Sequence, residues 1–296
     1  LSIGVTAITI GLGLILLQAK LNIWVGLSLP ISALVVSGVA GSARRGLLSQ
    51  QHQKVMQKLL GQTSSPAVAE QLWERRDQLL KDGRFLGQEQ WATIIFTDTC
   101  NFTTVSEQMS PSELIEWLNR GINIAVEAVN KRNGMVNKFT GDGMLAVFGA
   151  PLSEGKTKDS QNAIAAAREI QERFGDLNRQ LKSEGLPKMG LRIGIHSGVV
   201  LTGSLGNAQR LEYAVMGDTV NCASRLESCE KNRQSNLVRI LVSSTTREQL
   251  GAADQIYEWD IWGLLTVKGR EKELEVSELK DSAQVKPMAN QESLDQ

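Results

Sequence analysis

Two aspartates, each next to a short apolar run, are the residues whose types and spacing could do chemistry. Asp98 ends the apolar, β-branched run 92–97, and Asp142 lies between two glycines inside the apolar segment 136–149. The apolar runs on either side of Gly-Asp-Gly predict a β-hairpin with a tight turn. If the first run pairs beside that hairpin, a strand spacing of about 4.8 Å brings the two carboxylates close together.

A close pair of carboxylates indicates a metal-dependent phosphate site. Neighbouring carboxylates repel each other unless cations lie between them. Mg²⁺ and Mn²⁺ are hard cations that take oxygen ligands, and substrate phosphates often complete their coordination. An aspartate in a turn is also a common solvated turn-former, and for Asp142 taken alone that alternative stays open. The upstream Asp98 is what favours a two-metal site.

The charge balance and the cysteine content limit which binding partners and which cellular compartment are possible. The 296 residues include 32 Lys and Arg against 32 Asp and Glu, so no excess of positive charge indicates nucleic acid as a partner. The three cysteines, Cys100, Cys222 and Cys229, lack the spacing of a zinc site, and their odd number argues against a disulfide framework. We therefore expect no nucleic-acid partner and a reducing compartment.

The first 43 residues predict a transmembrane helix hairpin. Residues 1–17 and 23–41 are uncharged apolar runs, and a helix over the first would span about 25 Å. A signal peptide would need a basic start and a single apolar run, and a buried core helix is the other alternative. Arg44 and Arg45 place the following chain in the cytoplasm, which predicts a multi-pass inner-membrane protein. Since the sequence begins at Leu1 without Met, we expect a fragment or a processed form.

The remaining elements predict a helical linker over residues 44–90, a globular domain over 91–281 and a disordered tail over 282–296. The linker carries an amphipathic stripe compatible with a short coiled coil. In the domain, the strand run 92–98 is followed by a helix with a capping-box pattern, the hairpin, a second helix over 159–181 and a strand run over 191–200. This order predicts a ferredoxin-like α+β sandwich, which alone implies no function.

Five sequence blocks, in order, resemble the class III nucleotidyl cyclases, and the resemblance covers about residues 91–280. The blocks are residues 95–103, 138–142, 192–198, 212–225 and 267–269. The membrane runs and the linker further resemble bacterial cyclases with an extracytoplasmic sensor, often of the CHASE2 type. The sequence is expected to lack that N-terminal sensor.

The resemblance implies conversion of ATP to 3′,5′-cyclic AMP and pyrophosphate by attack of the ribose 3′-hydroxyl on the α-phosphate. It implies two Mg²⁺ (or Mn²⁺) held by Asp98, Asp142 and the main-chain carbonyl of Thr99. One metal would lower the pKa of the hydroxyl, and the other would hold the β- and γ-phosphates. The backbone N–H groups of Phe102 and Thr103 would cradle phosphate.

The resemblance also implies the residues that position ATP. Asn221 would orient the ribose, and Arg225 would meet the charge that develops on the α-phosphate; their spacing of four places them on one helix face. Arg192 and Lys268 match phosphate-binding positions, and Lys138 matches the lysine that contacts adenine. His196 has no chemical role in the family and is interpreted as structural.

Two positions depart from the family pattern. Asn101 replaces the usual glycine, and asparagine is the residue that best tolerates a left-handed backbone in its place. Ala214 stands where adenylate cyclases carry Asp or Thr to accept a hydrogen bond from adenine. The loss of one neutral hydrogen bond is worth about 0.5–1.5 kcal/mol, at most about tenfold in selectivity.

These observations predict a membrane-anchored adenylate cyclase that acts as a homodimer with active sites shared between chains. Asp98, Asp142 and Arg192 would come from one chain, and its partner would supply Lys138, Asn221, Arg225 and Lys268. Two alternatives stay open. One is a catalytically silent nucleotide-binding module, against which the intact Asp98, Asp142, Asn221 and Arg225 argue. The other is a guanylate cyclase, against which Lys138 argues.

Overall fold

A pair of long antiparallel strands runs through the centre of the structure, a computed structural model that describes residues 71, 74–81, 84–207, 211–265 and 273–280. These strands are β3 (Gln88–Thr99) and β6 (Leu191–Gly206). They pair from Gln88 opposite Thr202 to Thr99 opposite Leu191. Before them stand a short helix and two very short strands, α1 (Arg76–Leu79), β1 (Leu80–Lys81) and β2 (Arg84–Phe85).

The elements between β3 and β6 follow the predicted order of helix, hairpin and helix. They are α2 (Phe102–Ser106), α3 (Pro111–Asn130), β4 (Met135–Phe139), β5 (Met144–Phe148) and α4 (Lys156–Ser183). The predicted capping box is present at the start of α3, where the Ser110 and Glu113 side chains each bind the other's backbone N–H. After β6 come β7 (Leu211–Met216), α5 (Asp218–Ser228), β8 (Val238–Ser243), α6 (Ser244–Leu250), β9 (Trp259–Leu265) and β10 (Leu274–Leu279).

Strands β1 and β2 pair with each other, and the other described strands form one sheet in the order β4-β5-β3-β6-β8-β10-β9, in which β7 pairs with the second half of β6. The first four strands in this order form the ferredoxin-like arrangement that the sequence predicts. Strand β8 then adds parallel to β6, and β10 and β9 extend the sheet as an antiparallel edge. The mixed α+β fold expected from the sequence is therefore confirmed.

The two faces of the sheet carry different helices. Helices α3 and α4 pack on one face, over a core that includes Ile95, Ile193 and Ile195. Helix α5 packs on the other face, over Ala92 and Ile94. Because side chains alternate along a strand, Asp98 and Arg192 lie on the α5 face. Helix α5 comes very close to β6, since a β-carbon added at Gly194 would lie 2.2 Å from the carbonyl oxygen of Ala223.

The linker prediction is wrong for its last residues. A helix was expected up to residue 90, but Leu80–Lys81 and Arg84–Phe85 are strands, and β3 begins at Gln88. Tertiary contacts override the helical pattern here. The Phe85 N–H donates to Ser204 Oγ at 2.8 Å, and its ring packs edge-on against Tyr213 at 4.8 Å between centroids.

Two further differences concern the length of β6 and a missed helix. Strand β6 continues to Gly206 instead of ending near residue 200, because its second half pairs with β7. Helix α6 was not predicted. It is short, and it begins at an N-cap, Ser243, whose hydroxyl accepts from the Thr246 N–H.

Several predictions concern residues that the structure does not describe. The transmembrane hairpin over 1–43, most of the linker, Lys268 and the tail over 282–296 lie outside the described residues. In the part that is described, no helix combines the length and the apolar character that a membrane span requires.

Candidate active site

Asp98 and Arg192 form a cross-strand ion pair at one end of the sheet. They are direct partners in the β3–β6 register, and Arg192 Nη2 lies 2.5 Å from Asp98 Oδ2. The Arg192 side chain is 9% exposed and that of Asp98 is 26% exposed. Lys231 Nζ lies 3.6 Å from the same carboxylate oxygen. The predicted metal carboxylate and the predicted phosphate arginine thus occupy one site.

The hairpin turn that carries Asp142 is held against the end of β3. The Thr99 hydroxyl donates to the main-chain carbonyl of Asp142 at 2.5 Å, and the Met144 N–H donates to Thr97 Oγ1 at 2.9 Å. A β-carbon added at Gly143 would lie only 1.8 Å from the Thr97 carbonyl oxygen, so this close approach requires glycine. Strand pairing therefore brings Asp98 and Asp142 to the same end of the sheet, as predicted.

The donor atoms at this end of the sheet fit a hard divalent cation. Burial, and then the negative charge of Asp98, raise the pKa of the Asp142 carboxyl. Such repulsion is what a cation between two carboxylates relieves. Among the described residues, no group of three His, Cys, Asp or Glu side chains could hold a metal. Mg²⁺ commonly binds through one or two carboxylates and takes its other ligands from water and substrate phosphates, which suits Asp98 and Asp142.

Glu227 is a site residue that the sequence reasoning missed. Its buried carboxylate on α5 accepts from Arg192 Nε at 3.1 Å, so the guanidinium bridges Asp98 and Glu227. Burial and the charge of Asp98 raise the pKa of Glu227 to about 7. A signal was present in the sequence: Glu227 shares a helix face with the apolar Ala223, and a buried carboxylate needs a partner.

Asn221 and Arg225 lie on the side of α5 that faces away from the sheet. Ala223 and Glu227 face the sheet and are buried, whereas Asn221 is exposed and Arg225 is half-buried. At about 3.6 residues per turn, Asn221 and Arg225 share the outer face of the helix. Among the described residues, no hydrogen bond or ion pair joins either side chain to Asp98. The structure therefore does not bring these two predicted catalytic residues to the aspartates of the same chain.

The strands that carry the two predicted base-reading positions, β4 and β7, are joined by a hydrogen bond next to those positions. The β4–β5 pairing is irregular between Val136 and Lys138, and the Asn137 amide donates to the Tyr213 carbonyl at 2.8 Å. Lys138 and Ala214 are the next residues on their strands; Lys138 is exposed and Ala214 is 8% exposed. Tyr213 anchors β7, and burial raises the pKa of its phenol to about 12.

The remaining predicted residues have simpler environments. Phe102 and Thr103 begin the five-residue α2, directly after Asn101, whose φ of 56° is left-handed, as its place in the pattern predicts. His196 is buried, and its Nδ1 lies 2.8 Å from Ser243 Oγ, the N-cap hydroxyl of α6, which supports a structural role.

Comparison with known proteins identifies the family. Residues 87–278 match the family described as the Adenylate and Guanylate cyclase catalytic domain. Adenylate cyclase 1 of Rhizobium meliloti (strain 1021) is 33% identical over 203 residues, which cover 68% of this chain and 29% of that protein. The crystal structure of the adenylyl cyclase CyaB from P. aeruginosa superposes with a TM-score of 0.61 at 28% identity, covering 67% of this chain and 97% of that chain.

A guanylyl cyclase is similar as well. The crystal structure of the guanylyl cyclase Cya2 has a TM-score of 0.57 and 29% identity, over 65% of this chain and 93% of that chain. The chain spans 29% to 36% of the length of curated adenylate cyclases that it matches. The family match covers well over half of the chain and includes all of the site residues above that the structure describes. The chain belongs to the family of class III adenylate and guanylate cyclase catalytic domains.

Proposed function

We propose that the chain is an adenylate cyclase that converts ATP to 3′,5′-cyclic AMP and pyrophosphate. The observation that carries the proposal is the pair of carboxylates, Asp98 and Asp142, at one end of the sheet beside the buried Arg192. In this reaction the ribose 3′-oxygen forms a bond to the α-phosphorus, and the bond to the α–β bridging oxygen breaks. Pyrophosphate leaves, and the hydroxyl proton is released.

The residues at this site have separate tasks. Asp98, Asp142 and the Thr99 carbonyl would hold two Mg²⁺ or Mn²⁺, which when bound lower the pKa of the attacking hydroxyl and neutralise phosphate charge. Arg192 would bind phosphate oxygens with its planar guanidinium. Glu227 accepts from Arg192 Nε and so fixes the plane in which the other guanidinium N–H groups point. A buried partner of this kind reduces the side-chain entropy lost when phosphate binds.

The active form in this proposal is a homodimer whose sites combine residues of both chains. Asn221 and Arg225 occupy the outer face of α5, away from the sheet that carries Asp98. A two-fold related partner could present that face to the aspartates, and symmetry would then create two equivalent sites. Association would also bury apolar side chains that are exposed on β6 and β7, namely Val199, Leu201, Leu205 and Met216.

Adenine is the proposed base, and guanine is the second candidate. Lys138 favours adenine, and curated relatives at 30% to 33% identity are named adenylate cyclases. Two observations favour guanine as the alternative. Ala214 has no side-chain acceptor for the adenine amino group, and the similar Cya2 is a guanylyl cyclase.

We also propose that residues 1–43 anchor the protein in the inner membrane, with the catalytic domain in the cytoplasm. The two uncharged runs and the following Arg44 and Arg45 support this arrangement. Protease treatment of spheroplasts expressing the chain tests it. Cleavage of the catalytic domain from the outside would contradict the orientation.

Incubation of the purified chain with ATP, and separately with GTP, tests the proposed function. Each reaction contains Mg²⁺ or Mn²⁺ and is analysed for both cyclic nucleotides, with Asp98→Ala as the inactive control. We expect cyclic AMP as the main product. A preference for GTP would establish the second candidate, and absence of both products at every metal concentration would indicate a silent nucleotide-binding module.

A further inference from the structure

The Asp98 carboxylate is in contact with two cations of the protein itself. Arg192 Nη2 lies 2.5 Å from Asp98 Oδ2, and Lys231 Nζ lies 3.6 Å from the same oxygen. A divalent metal ion at Asp98 therefore meets a carboxylate whose charge these two groups partly neutralise. Any metal that binds there has to compete with at least one of them.

The two cations differ in how firmly they are held. The Arg192 side chain is 9% exposed, and its Nε donates to the buried Glu227 carboxylate at 3.1 Å, so Arg192 keeps an ion-pair partner when Asp98 binds a metal. The Lys231 side chain is 50% exposed, and among the described residues no other carboxylate lies within ion-pair distance of it. Lysine also carries its charge at the end of a flexible four-carbon stem. Lys231 is therefore the cation that can leave Asp98 more easily.

The backbone that presents Lys231 is held in place by several contacts. Lys231 begins a 3₁₀ helix, Lys231–Arg233, and the Arg233 guanidinium stacks on the Trp262 ring at 3.9 Å. Just before this helix, buried Arg239 donates to three main-chain carbonyls within residues 227–230, at 2.7 to 2.8 Å. Because the backbone is fixed, the ammonium group stays within reach of Asp98 and has a high effective concentration there.

A metal ion and the Lys231 ammonium group cannot both gain the full charge of Asp98. Two positive charges at one carboxylate repel each other, and the repulsion is stronger where water is partly excluded, as it is at Asp98, whose side chain is 26% exposed. The half-exposed Lys231 side chain can relieve this repulsion by rotating into solvent, without movement of its backbone. The displacement of Lys231 is thus part of the free-energy cost of metal binding.

We propose that Lys231 competes with the divalent cation for Asp98 and so sets the metal concentration that the site requires. The proposal rests on the proposed function, because that function makes Asp98 a metal ligand. Loss of the Lys231 charge should favour the metal, since one of the two competing cations is then gone. The strength of a partly exposed ion pair corresponds to a change of about twofold to fivefold in metal affinity.

Binding of Mn²⁺ to the full chain, without nucleotide, tests the proposal, and electron paramagnetic resonance measures the free Mn²⁺. Lys231→Gln should bind Mn²⁺ about twofold to fivefold more tightly than the wild type. Lys231→Arg should stay close to the wild type, because it keeps the charge. Lys182→Gln is the matched control: Lys182 is an exposed lysine of α4, no ion pair joins it to Asp98 in the described part of the chain, and its removal should leave the affinity unchanged.

A second arm repeats the comparison in the Asp98→Ala background. Any residual Mn²⁺ binding there should be the same with and without Lys231→Gln, because the carboxylate for which the two cations compete is gone. In activity assays of the chain with intact Asp98, the Mg²⁺ concentration that gives half-maximal cyclic nucleotide formation should fall in Lys231→Gln.

Unchanged or weaker Mn²⁺ binding by Lys231→Gln would overturn the proposal, as would an equal tightening in the Asp98→Ala background. If cyclic nucleotide forms while the Mn²⁺ affinity does not depend on Lys231, only the competition is wrong. If the affinity changes as expected but neither ATP nor GTP is cyclised, the competition stands and the proposed function is wrong.

Discussion

Arg192 lies directly opposite Asp98 in the β3–β6 register, and its Nη2 donates to Asp98 Oδ2 at 2.5 Å. The same guanidinium donates through Nε to Glu227 on α5. One buried side chain therefore joins both central strands to the helix that carries Asn221 and Arg225. A substitution at Asp98 should alter mainly the chemistry, whereas a substitution at Glu227 should alter mainly how α5 is held against the sheet. The two effects can therefore be measured separately.

We expect Asp98→Ala and Asp142→Ala each to abolish cyclase activity while the domain stays folded. Removal of the Asp142 carboxylate relieves the repulsion that raises its pKa, so the melting temperature of Asp142→Ala should stay the same or rise. Asp98→Ala also takes an ion-pair partner from the buried Arg192, so its melting temperature should fall, although Glu227 still accepts from that guanidinium. The control is Asp176→Ala, which removes an exposed aspartate of α4. Near-normal turnover by either site variant in Mg²⁺ or Mn²⁺ would contradict the two-metal assignment.

Glu227→Gln should change how stability depends on pH. The pKa of Glu227 is raised from 4.5 to about 7 in the folded protein, mainly by burial, so the folded state holds an extra proton in this range. Wild-type stability should therefore fall as pH rises from about 4.5 to about 7, by roughly 2 kcal/mol from this group. The Gln variant cannot release the proton and should lack that fall.

The measurement is the free energy of unfolding from urea titrations at several pH values. Glu230→Gln, an exposed neighbour, should keep the wild-type profile. In activity assays, Glu227→Leu should raise KM for the nucleotide more than it lowers kcat, because Arg192 Nε then has no acceptor on α5, whereas Glu227→Gln keeps an amide oxygen and should change KM less. Identical pH profiles for the wild type and Glu227→Gln would show that Glu227 is ionised throughout.

Arg239 should be essential for the stability of the end of α5. Its side chain is fully buried, and its guanidinium donates to the main-chain carbonyls of Glu227, in the last turn of the helix, and of Cys229 and Glu230, just after it. Arg239→Leu leaves those carbonyls without their donor, which should cost about 3 kcal/mol and lower Tm by about 10 °C. Arg179→Leu, at a side chain that is 77% exposed, should change stability by no more than about 0.5 kcal/mol. Thermal unfolding followed by circular dichroism measures both.

Ala214 should limit the selectivity for adenine. Ala214→Thr or Ala214→Asp adds an acceptor beside Lys138, so the ratio of kcat/KM for ATP over GTP should rise, by about tenfold at most. Each variant is compared with wild type in parallel assays with both nucleotides. An unchanged ratio in both variants would mean that other residues recognise the base.

The main elements of the site could be predicted because their signals are local. The carboxylate at the end of a β-branched run and the Gly-Asp-Gly turn can each be recognised from a few consecutive residues. Strand pairing then brings the two carboxylates to the same end of the sheet. The ferredoxin-like order follows from the same apolar periodicity. The strand at Arg84–Phe85 could not be predicted, because Phe85 is held by distant Ser204 and Tyr213, which no local pattern shows.

Glu227 and Lys231 were not predicted as site residues, and the physical reason is the same for both. Their partners, Arg192 and Asp98, are far away in sequence, and a helix pattern shows only that Glu227 shares a face with buried residues. Lys231 belongs to a short 3₁₀ segment without periodicity. The partners of such residues can be identified only when the packing of α5 and of the following 3₁₀ segment against β3 and β6 is known.

The sharpest test of the shared site is rescue between two inactive chains. In the homodimer proposal, each chain supplies Asp98 to one site and Arg225 to the other site. Asp98→Ala therefore damages the first of these sites, and Arg225→Ala damages the second. When the two variants pair, both lesions fall in one site and the second site is wild type. Each mixed dimer keeps one intact site of two, so dimers purified through a tag on each chain should show about half of wild-type activity.

The measurement is cyclic AMP production by the two variants co-expressed with different affinity tags and purified through both. The outer position of Arg225 on α5, opposite the face that holds Glu227, is the structural reason to expect rescue. A control pair, Asp98→Ala with Asp142→Ala, should stay inactive, because each chain would then lack a metal ligand and both sites would be damaged. Doubly purified dimers of Asp98→Ala with Arg225→Ala that remain inactive would mean that each chain uses its own Arg225, and the shared-site arrangement would be wrong.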